Sequence, residues 1–237
     1  MSADPSVRLA TEADLPAVAE VYLTARDAAS MPPRVHSSDD ARARVRSWDL
    51  SVRDVWVAET GSVVVGFANL TRTWLDGLYV APGAQGAGIG STLLDLAKAL
   101  RPHGFGLWVF AVNHPARALY RRHGFLELER TDGAGNEENA PDVKMVWPGA
   151  DPLAYFRSLI DEVDLLLGDV LARRVALTRV VQDHKRAVFA APDPSRDSAR
   201  EHEIVTRVAG VVPELGPERV ARIVHAIISE SLDASRE

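Results

Sequence analysis

The sequence predicts an α/β domain followed by an all-α domain, and three observations support this fold class. Residues 6–149 alternate strand patterns with helix patterns, which is typical of an α/β domain. Residues 151–188 form one long helical pattern, and two shorter helical patterns follow it. Between the two regions, Trp147-Pro148-Gly149-Ala150 forms a linker that is too short for free movement. We therefore place the domains at 1–149 and 150–237.

The composition is that of an ordinary soluble protein with room for two domains: 237 residues, of which 46% are apolar and 25% charged. The absence of cysteine excludes disulfides, thiolate metal sites and a cysteine nucleophile. A net charge of −6 argues against general nucleic-acid binding. Residues 1–7 lack the apolar core of a targeting segment, and no apolar run approaches the roughly 20 residues of a membrane helix. We expect a cytoplasmic protein without membrane contact.

The α/β pattern can be followed element by element. A short strand at 7–9 precedes a helix that begins near Thr11 and continues to residue 22. Residues 27–48 are polar and indicate a loop and a charged helix. Three strands follow, of which the first two are joined by a tight turn at Thr60-Gly61. Their predicted ranges are 54–59, 62–70 and 75–80.

The third of these strands leads into a glycine-rich loop at 81–90, which opens a helix at 91–100. Such a loop presents free amides and a helix dipole to an anion, although a tight strand-to-helix turn would look similar. The spacing Gln85-x-x-Gly88-x-Gly90 resembles the pyrophosphate loop of the GNAT acetyltransferase superfamily. A strand at 106–111 and the residues that follow it resemble a second segment of that superfamily, which has an Asn…Ala…Tyr…Gly-Phe pattern, through Asn113, Tyr120 and Gly124-Phe125.

The resemblance implies an α+β fold with a mixed central sheet, flanking helices and acetyl-CoA between splayed strands four and five. The pyrophosphate would contact the amides of Gln85, Gly86, Ala87, Gly88, Gly90 and Ser91. The backbone of Leu78 and Val80 would hold the pantetheine arm, and Asn113 would also contact the cofactor. Tyr120 would protonate the departing thiolate, unless it only packs on the sheet.

The resemblance leaves the base and the amine acceptor open. Glu59, Asp76 or a water relay could take the proton from the amine. The acceptor site would be built from residues 27–48. The histidines are scattered without metal spacing, so we interpret them as surface or loop residues and expect no bound metal; they include His36, His103, His114 and His123.

The second domain begins with one long helix, which Asp151 caps and Pro152 opens. At about 1.5 Å per residue it is about 55 Å long, so its apolar stripe needs partners. The stripe consists of Leu153, Phe156, Ile160, Val163, Leu167, Val170, Leu177, Val181 and Val188. Arg174 and His184 occupy the seam positions that this pattern skips, and Lys185 lies beside the second.

Arg174 and Lys185 are three helical turns apart, so both leave the same face about 16 Å from each other and could hold a small dianion. Arg157 is about 25 Å from Arg174 along the axis, too far to join that site in its own chain. An antiparallel second copy of the helix could supply it. The alternative is a coiled-coil hairpin whose basic side chains extend to solvent.

Two more helical segments follow the long one. The first leads from Pro194 through Ile204, Val205 and Val208 and ends at Pro213 and Gly216; the second carries an apolar face from Val220 to Leu232. A long, a short and a medium helix in this order resemble the all-helical class of chorismate mutases over residues 151–237. The resemblance rests on Arg157, Arg174, Lys185, Asp197, Arg200, Glu201 and Ser231.

The resemblance implies an intertwined homodimer through the C-terminal helices, in which each site takes Arg157 from one subunit and the other residues from its partner. The arginines and Ser231 would bind the two carboxylates of chorismate, and Lys185 would donate to the ether oxygen. Glu201, with Asp197 nearby, would meet the ring hydroxyl. A Claisen rearrangement needs a folded dianion and a donor for developing charge, with no cofactor.

Two features depart from this expectation, one residue and one loop. Ser235 stands where the family usually has Gln or Glu as a second donor to the ether oxygen. The loop between Lys185 and Arg200 is also longer than in compact members. Glu201 has an alternative role in a capping box with Ser198.

The sequence therefore predicts a bifunctional enzyme, an acetyl-CoA-dependent N-acetyltransferase that is also a chorismate mutase, in aromatic amino acid biosynthesis or specialised metabolism. In an alternative hypothesis, the helical domain is a dimerisation or ligand-sensing module for the transferase. A further alternative is a mutase that acts on an amino analogue of chorismate.

Overall fold

A computed structural model describes residues 5–188 and 197–235. The chain divides into two compact units, Met1–Arg157 and Ser158–Glu237. The first unit extends a few residues into the long helix because Tyr155 packs closely on the backbone of Gly104. The domain limits at 149 and 150 stay a prediction.

Among the described residues, the first unit contains seven strands and four α-helices. In chain order these are β1 (Ser6–Leu9), α1 (Leu15–Ala28), α2 (Ser38–Arg46), β2 (Asp54–Thr60), β3 (Val63–Leu70), β4 (Leu75–Val80), α3 (Ile89–Leu100), β5 (Phe105–Phe110), α4 (His114–Arg122), β6 (Leu126–Arg130) and β7 (Asp142–Trp147). The predicted strands at 7–9, 54–59, 62–70, 75–80 and 106–111 agree with the observed ones to within one residue at each end. By contrast, α1 continues to Ala28, six residues beyond its predicted end, and β6 and β7 were not predicted.

The strands form two sheets. The first has the order β1-β2-β3-β4 and the second β5-β7-β6, and all these pairs are antiparallel. β4 and β5 run parallel and meet at one bridge between Trp74 and Gly106, where the Gly106 N–H donates to the Thr73 carbonyl at 2.9 Å. Beyond this bridge the described strands separate. The sheet is therefore mixed and opens between strands four and five, as the sequence predicted.

The core of the first unit lies on both faces of the sheets because successive strand residues point to opposite sides. Phe67 on β3 packs with Val18 of α1 and Val45 of α2. Its neighbour Ala68 faces the other way, into a cluster with Leu93 and Leu94 of α3 and others. This packing fixes the start of α3 against the sheet.

Three α-helices build the described part of the second unit: α5 (Pro152–Val188), whose first six residues belong to the first unit, α6 (Ser198–Val211) and α7 (Pro217–Asp233). A short 3-10 helix (Pro213–Leu215) lies between the last two. The Asp151 carboxylate accepts the Ala154 N–H at 3.0 Å, which confirms the predicted cap of α5. At the start of α6, the Asp197 carboxylate accepts the Arg200 N–H at 2.9 Å. Asp197 is therefore the N-cap, and the capping box proposed for Ser198 and Glu201 is not formed.

The apolar core of the second unit is built by α6 and α7. It consists of Val220, Val224 and Ile228, with Ile204, Val205, Ala209, Val212 and Leu232 around them. Along α5, by contrast, most of the predicted stripe faces solvent in the single chain: Leu177 is 68% exposed and Ile160 is 58% exposed, whereas Phe156 is partly buried. An apolar stripe of this length costs free energy when it is left in water.

Across the described ranges, the structure has no helix with the length and apolar character that a membrane span requires.

Candidate active sites

A cleft of about 1080 Å³ opens in the first unit where β4 and β5 separate. Of the residues expected to bind the cofactor, all except Ala87 line this cleft. Tyr120 lines it as well. The fold thus brings the continuous stretch from β4 through the glycine-rich loop to α3 together with Asn113 and Tyr120 from the later segment of α4.

The glycine-rich loop has a backbone that suits an anion. Gly86 and Gly88 both have a φ of 82°, in the left-handed region that favours glycine, and no other atom lies within 4 Å of where a Cβ would stand. Gly88 is the N-cap of α3. The N–H groups of residues 86–91 have no protein acceptor in the part of the chain that the structure describes. Free amides at a helix N-terminus are a phosphate-binding arrangement.

Two side chains position the ends of this region. The Gln85 amide donates to the Val80 carbonyl at 3.0 Å and ties the loop to the end of β4. The Asn113 side-chain oxygen accepts the Ala116 N–H at 3.2 Å and caps α4. The capping contact uses the oxygen of Asn113, so its amide group is the part that can donate to a ligand.

Tyr120 is 7% exposed and packs on Phe125 with ring centroids 5.5 Å apart. Burial raises the pKa of the Tyr120 phenol well above its usual value, and the nearby Tyr79 adds to the effect. Tyr120 therefore remains protonated throughout the neutral range, which is the state that a proton donor needs. Burial likewise raises the pKa of Tyr79 to about 12.

The two carboxylates considered as bases differ in position. Asp76 lines the cleft, and desolvation raises the pKa of its carboxyl, opposed by the charge of Arg53. Glu59 is not among the described residues that line the cleft. It pairs instead with Arg8, whose Nη2 lies 2.6 Å from its Oε1. Of the two, Asp76 therefore lines the cleft, and Glu59 of β2 is paired with Arg8 of the neighbouring β1.

The sequence did not identify the residues at the other end of the cleft, which include Trp108, Thr131, Asn136 and Asp142. The Asp142 carboxylate is fixed by donors from Thr131 and from Asn136, the latter at 3.0 Å. The segment between β6 and β7 is also held by an Arg26–Glu138 ion pair of 2.6 Å. No local motif marks these contacts, because their partners are more than a hundred residues apart or belong to an irregular segment.

His123 lies at the start of α3 in space, although the sequence suggested only a surface or loop residue. Its Nε2 is 3.1 Å from the Ser91 hydroxyl, and its Nδ1 is 3.2 Å from the Asp95 carboxylate. A spacing of four residues puts Ser91 and Asp95 on one helix face, which was the available signal. The partner of that face could not be read from the sequence.

In the second unit, the structure brings two of the expected residues together. The Arg174 Nη1 donates to the Ile227 carbonyl at 3.2 Å, and the Ser231 hydroxyl donates to the same oxygen at 2.6 Å. Ser231 is only 2% exposed. α5 and α7 therefore meet at this point.

The other expected mutase residues are not joined to this pair by a direct contact that the structure records. The Oε2 atom of Glu201 lies 3.8 Å from Nε2 of His225 in α7. The exposed Arg200 forms an ion pair with Glu203, with Nη1 2.9 Å from Oε2. Lys185 is partly buried and Arg157 is exposed on α5. The buried Ser235 donates its hydroxyl to the Leu232 carbonyl at 2.6 Å.

Comparison with known families gives one match for each part of the chain. Residues 51–127 match the family model of the acetyltransferase (GNAT) domain. Residues 156–236 match that of chorismate mutase type II. The two matches do not overlap, and each lies largely within one of the two compact units.

Two curated relatives resemble the first part of the chain. The peptidyl-lysine N-acetyltransferase YiaC of Escherichia coli (strain K12) is 29% identical over 144 residues, which are 60% of this chain and 96% of that protein. The peptidyl-lysine N-acetyltransferase YjaB of Salmonella typhimurium is 32% identical over 95 residues, which are 40% of this chain and 65% of that protein.

Solved structures resemble the fold of the same part. Apo YjaB from Escherichia coli has a TM-score of 0.52 at 23% identity and covers 62% of this chain and 99% of its own. YncA from Salmonella typhimurium was solved with its cofactor acetyl-CoA. Its TM-score is 0.50 at 22% identity, over 63% of this chain and 96% of its own.

Proposed function

This chain joins an acetyltransferase (GNAT) domain to a chorismate mutase type II domain, and we propose that each domain carries its own active site. The chain is a bifunctional acetyltransferase and mutase. The observation that carries the proposal for the first site is the cleft between β4 and β5, which is lined by Leu78, Val80, Gly88, Asn113 and Tyr120. The two sites serve unrelated reactions, so each can be tested alone.

Acetyl-CoA is the proposed cofactor of the first site. The unpaired N–H groups of 86–91 and the N-terminus of α3 would bind its pyrophosphate, with Gln85, Gly86, Ala87, Gly88, Gly90 and Ser91 supplying the loop. The backbone of Leu78 and Val80 would hold the pantetheine arm, and the Asn113 amide would donate to it. When bound, the cofactor supplies an acetyl thioester. The size of the cleft and its free donors support this assignment.

The proposed chemical groups of the transferase are Tyr120 and Asp76. Tyr120 donates its proton to the departing sulfur, a role supported by the raised pKa that keeps its phenol protonated. Asp76 takes a proton from the amine, directly or through water. Desolvation raises the pKa of the Asp76 carboxyl, and a higher pKa makes a carboxylate a better base.

The proposed acceptor is a primary amine, and a lysine side chain of a peptide is the first candidate because both curated relatives are named peptidyl-lysine N-acetyltransferases. The carboxylates of Asp76 and Asp142 in the cleft support a cationic acceptor. The end of α1 and the segment after it, through Met31, line the same cleft and would contribute to this site, as would other residues of 27–48.

The second site would rearrange chorismate, or a close analogue, to prephenate or its counterpart. Arg174 and Ser231 share one carbonyl in the chain, which places a cation beside a hydroxyl. Arg174 keeps other N–H donors for a carboxylate, whereas the Ser231 hydroxyl would turn away from the Ile227 carbonyl to donate to it. Lys185 would donate to the ether oxygen where negative charge develops. Arg200 would bind a carboxylate, and Glu201, with Asp197, would meet the ring hydroxyl. This reaction needs positioning and electrostatic stabilisation and no cofactor.

We also propose that two chains form an intertwined dimer and that Arg157 reaches the site of the partner subunit. The exposed apolar stripe of α5 supports this assembly, because the side chains expected to be buried lie in water in the single chain. The proposal keeps the cytoplasmic location that the sequence predicts.

A second candidate function for the helical domain is ligand sensing or dimerisation alone. This function is favoured by Ser235, because its side chain is too short to replace the usual Gln or Glu donor. Its hydroxyl also donates its hydrogen to the Leu232 carbonyl. In this case the domain would bind chorismate-like dianions without turning them over.

Two measurements on the purified full-length chain test the proposal. Calorimetry with acetyl-CoA should show binding to one site per chain, and an ultraviolet assay should show consumption of chorismate. No acetyl-CoA binding would overturn the transferase site. Binding of chorismate without turnover would contradict the mutase activity and support the ligand-sensing function of the helical domain.

A further inference from the structure

His123 links the end of α4 to the start of α3, and its position suggests a role in the proposed cofactor site. Its side chain is 15% exposed and lies between Asp95 and Ser91. Ser91 lines the cleft and lies in the first turn of α3. The N–H groups that have no acceptor among the described residues lie in the same turn and in the loop before it. The Ser91 hydroxyl therefore connects the imidazole to the cleft, where a ligand would bind.

The proton arrangement of this trio depends on the charge of the imidazole. The Asp95 carboxylate can only accept, so Nδ1 of His123 carries a hydrogen. In the neutral ring, Nε2 then has no hydrogen and accepts the Ser91 hydroxyl, which cannot donate elsewhere. In the imidazolium, Nε2 donates to the Ser91 oxygen and leaves the hydroxyl hydrogen free to point into the cleft.

We propose that His123 is a positioning residue for the cofactor: when protonated, it turns the Ser91 hydroxyl toward the pyrophosphate, and acetyl-CoA binding takes up a proton there. The inference rests on the proposed acetyl-CoA site. A phosphate oxygen that accepts a hydrogen bond beside a cation is bound more tightly than one beside a neutral group. Binding and protonation of His123 therefore favour each other.

The charged groups around His123 agree with this assignment. The Asp95 carboxylate of α3 lies 3.2 Å from Nδ1. The adjoining Arg122 lines the cleft and is charged at every pH of interest. Arg121 is engaged by Glu127.

A purely structural role makes a different prediction. If His123 only joined α3 to α4, its replacement would lower stability and leave the pH dependence of cofactor binding unchanged. The decisive quantity is the number of protons taken up on binding, which calorimetry in buffers of different ionisation enthalpy measures directly.

The experiment compares acetyl-CoA binding to the wild-type chain and to His123→Gln at about pH 6 and about pH 8.5. We expect the wild type to bind about 5- to 20-fold more tightly, relative to the variant, at the lower pH than at the higher. Wild type should take up a fraction of a proton that the variant does not. The phosphates of the cofactor titrate equally in both, so the difference isolates His123. His103→Gln, an exposed histidine away from the cleft, is the matched control and should behave as wild type.

Ser91→Ala provides a second route if His123→Gln does not fold. It should also lose most of the proton uptake, and the double variant should bind no more weakly than the weaker single variant, because one residue acts through the other. Equal proton uptake in wild type and both variants overturns the role of His123 and leaves the cofactor site intact. Failure of wild type to bind acetyl-CoA at either pH overturns both.

Discussion

Arg174 and Ser231 donate hydrogen bonds to the same main-chain oxygen, that of Ile227, at 3.2 and 2.6 Å. The shared carbonyl holds a guanidinium of α5 beside a hydroxyl of α7. An arginine has five N–H donors, so one bond to a carbonyl leaves others for a carboxylate. The pair therefore defines where the proposed mutase site begins in a single chain.

Arg174→Lys should reduce chorismate turnover by about 100-fold or more, because an ammonium cannot bind a carboxylate and the Ile227 carbonyl with one rigid fork. Stability should fall by about 1 kcal/mol for the lost hydrogen bond. Steady-state kinetics and urea unfolding measure the two effects. Arg179→Lys is the control, since Arg179 also joins α5 to the end of α7, through the Ala234 carbonyl at 3.1 Å. Equal losses of turnover in both variants would contradict a specific role for Arg174.

Gly88→Asp should weaken acetyl-CoA binding by at least about 100-fold, because it adds a negative charge where phosphates would lie and forces a side chain into a φ of 82°. Gly83→Asp is the matched control. Gly83 belongs to the same loop region, has open space at its Cβ position and does not line the cleft. Calorimetry on both variants should show a large loss of acetyl-CoA affinity only for Gly88→Asp. Similar affinities for the two variants would mean that the cofactor binds elsewhere.

Tyr120→Phe should lower the acetyl-transfer rate by about 100-fold and leave acetyl-CoA affinity nearly unchanged, because only the proton donor is removed. The raised pKa of Tyr120 also has a consequence for the pH profile. The folded phenol remains protonated above its ordinary range, so ionisation of Tyr120 should not reduce the wild-type rate even at about pH 10, where an ordinary tyrosine is half ionised. A variant with wild-type kcat would assign Tyr120 to packing alone.

Glu127→Gln tests a part of the fold that supports α4. Hydrogen bonds from Arg117 and then Arg130 and Arg121 lower the pKa of Glu127 from 4.5 to about 2. A depressed folded-state pKa stabilises the protein above the unfolded value, and this stabilisation is lost as the pH falls toward 2. Urea unfolding should show the variant less stable at neutral pH by about 1–3 kcal/mol, since the buried Arg117 loses its partner. The difference in the free energy of unfolding between wild type and variant should become smaller toward about pH 3. A difference that does not change with pH would contradict the contribution of the ionised Glu127 carboxylate.

Local patterns were sufficient for much of the fold. The strand at 75–80, the glycine-rich loop and the long helix each depend on neighbouring residues, whose periodicity and turn chemistry can be read directly. The predicted cap of α5 is correct for the same reason. At α6 the pattern was ambiguous by one residue, because Asp197 and Ser198 are both good caps and only the backbone decides between them.

Contacts between distant residues could not be predicted in this way. Glu59 lies on a strand near the cleft and was a candidate base. Its carboxylate is instead paired with Arg8 of the neighbouring strand, a contact that the local sequence does not indicate. His123 and Asp142 gain their positions from the packing of α3 and of β7, and neither belongs to a motif with fixed spacing. The functional parts that the sequence missed are those created by tertiary structure.

The most direct test of the account is the mutase activity of a mixed dimer. Arg157→Ala and Lys185→Ala chains carrying different affinity tags are produced together, and doubly tagged dimers are isolated. If each site takes Arg157 from one subunit and Lys185 from the other, the mixed dimer retains one intact site of two and should show about half of the wild-type turnover of chorismate. Each variant alone should be nearly inactive. A mixed dimer as inactive as its parents, or no doubly tagged dimer at all, would contradict the shared site.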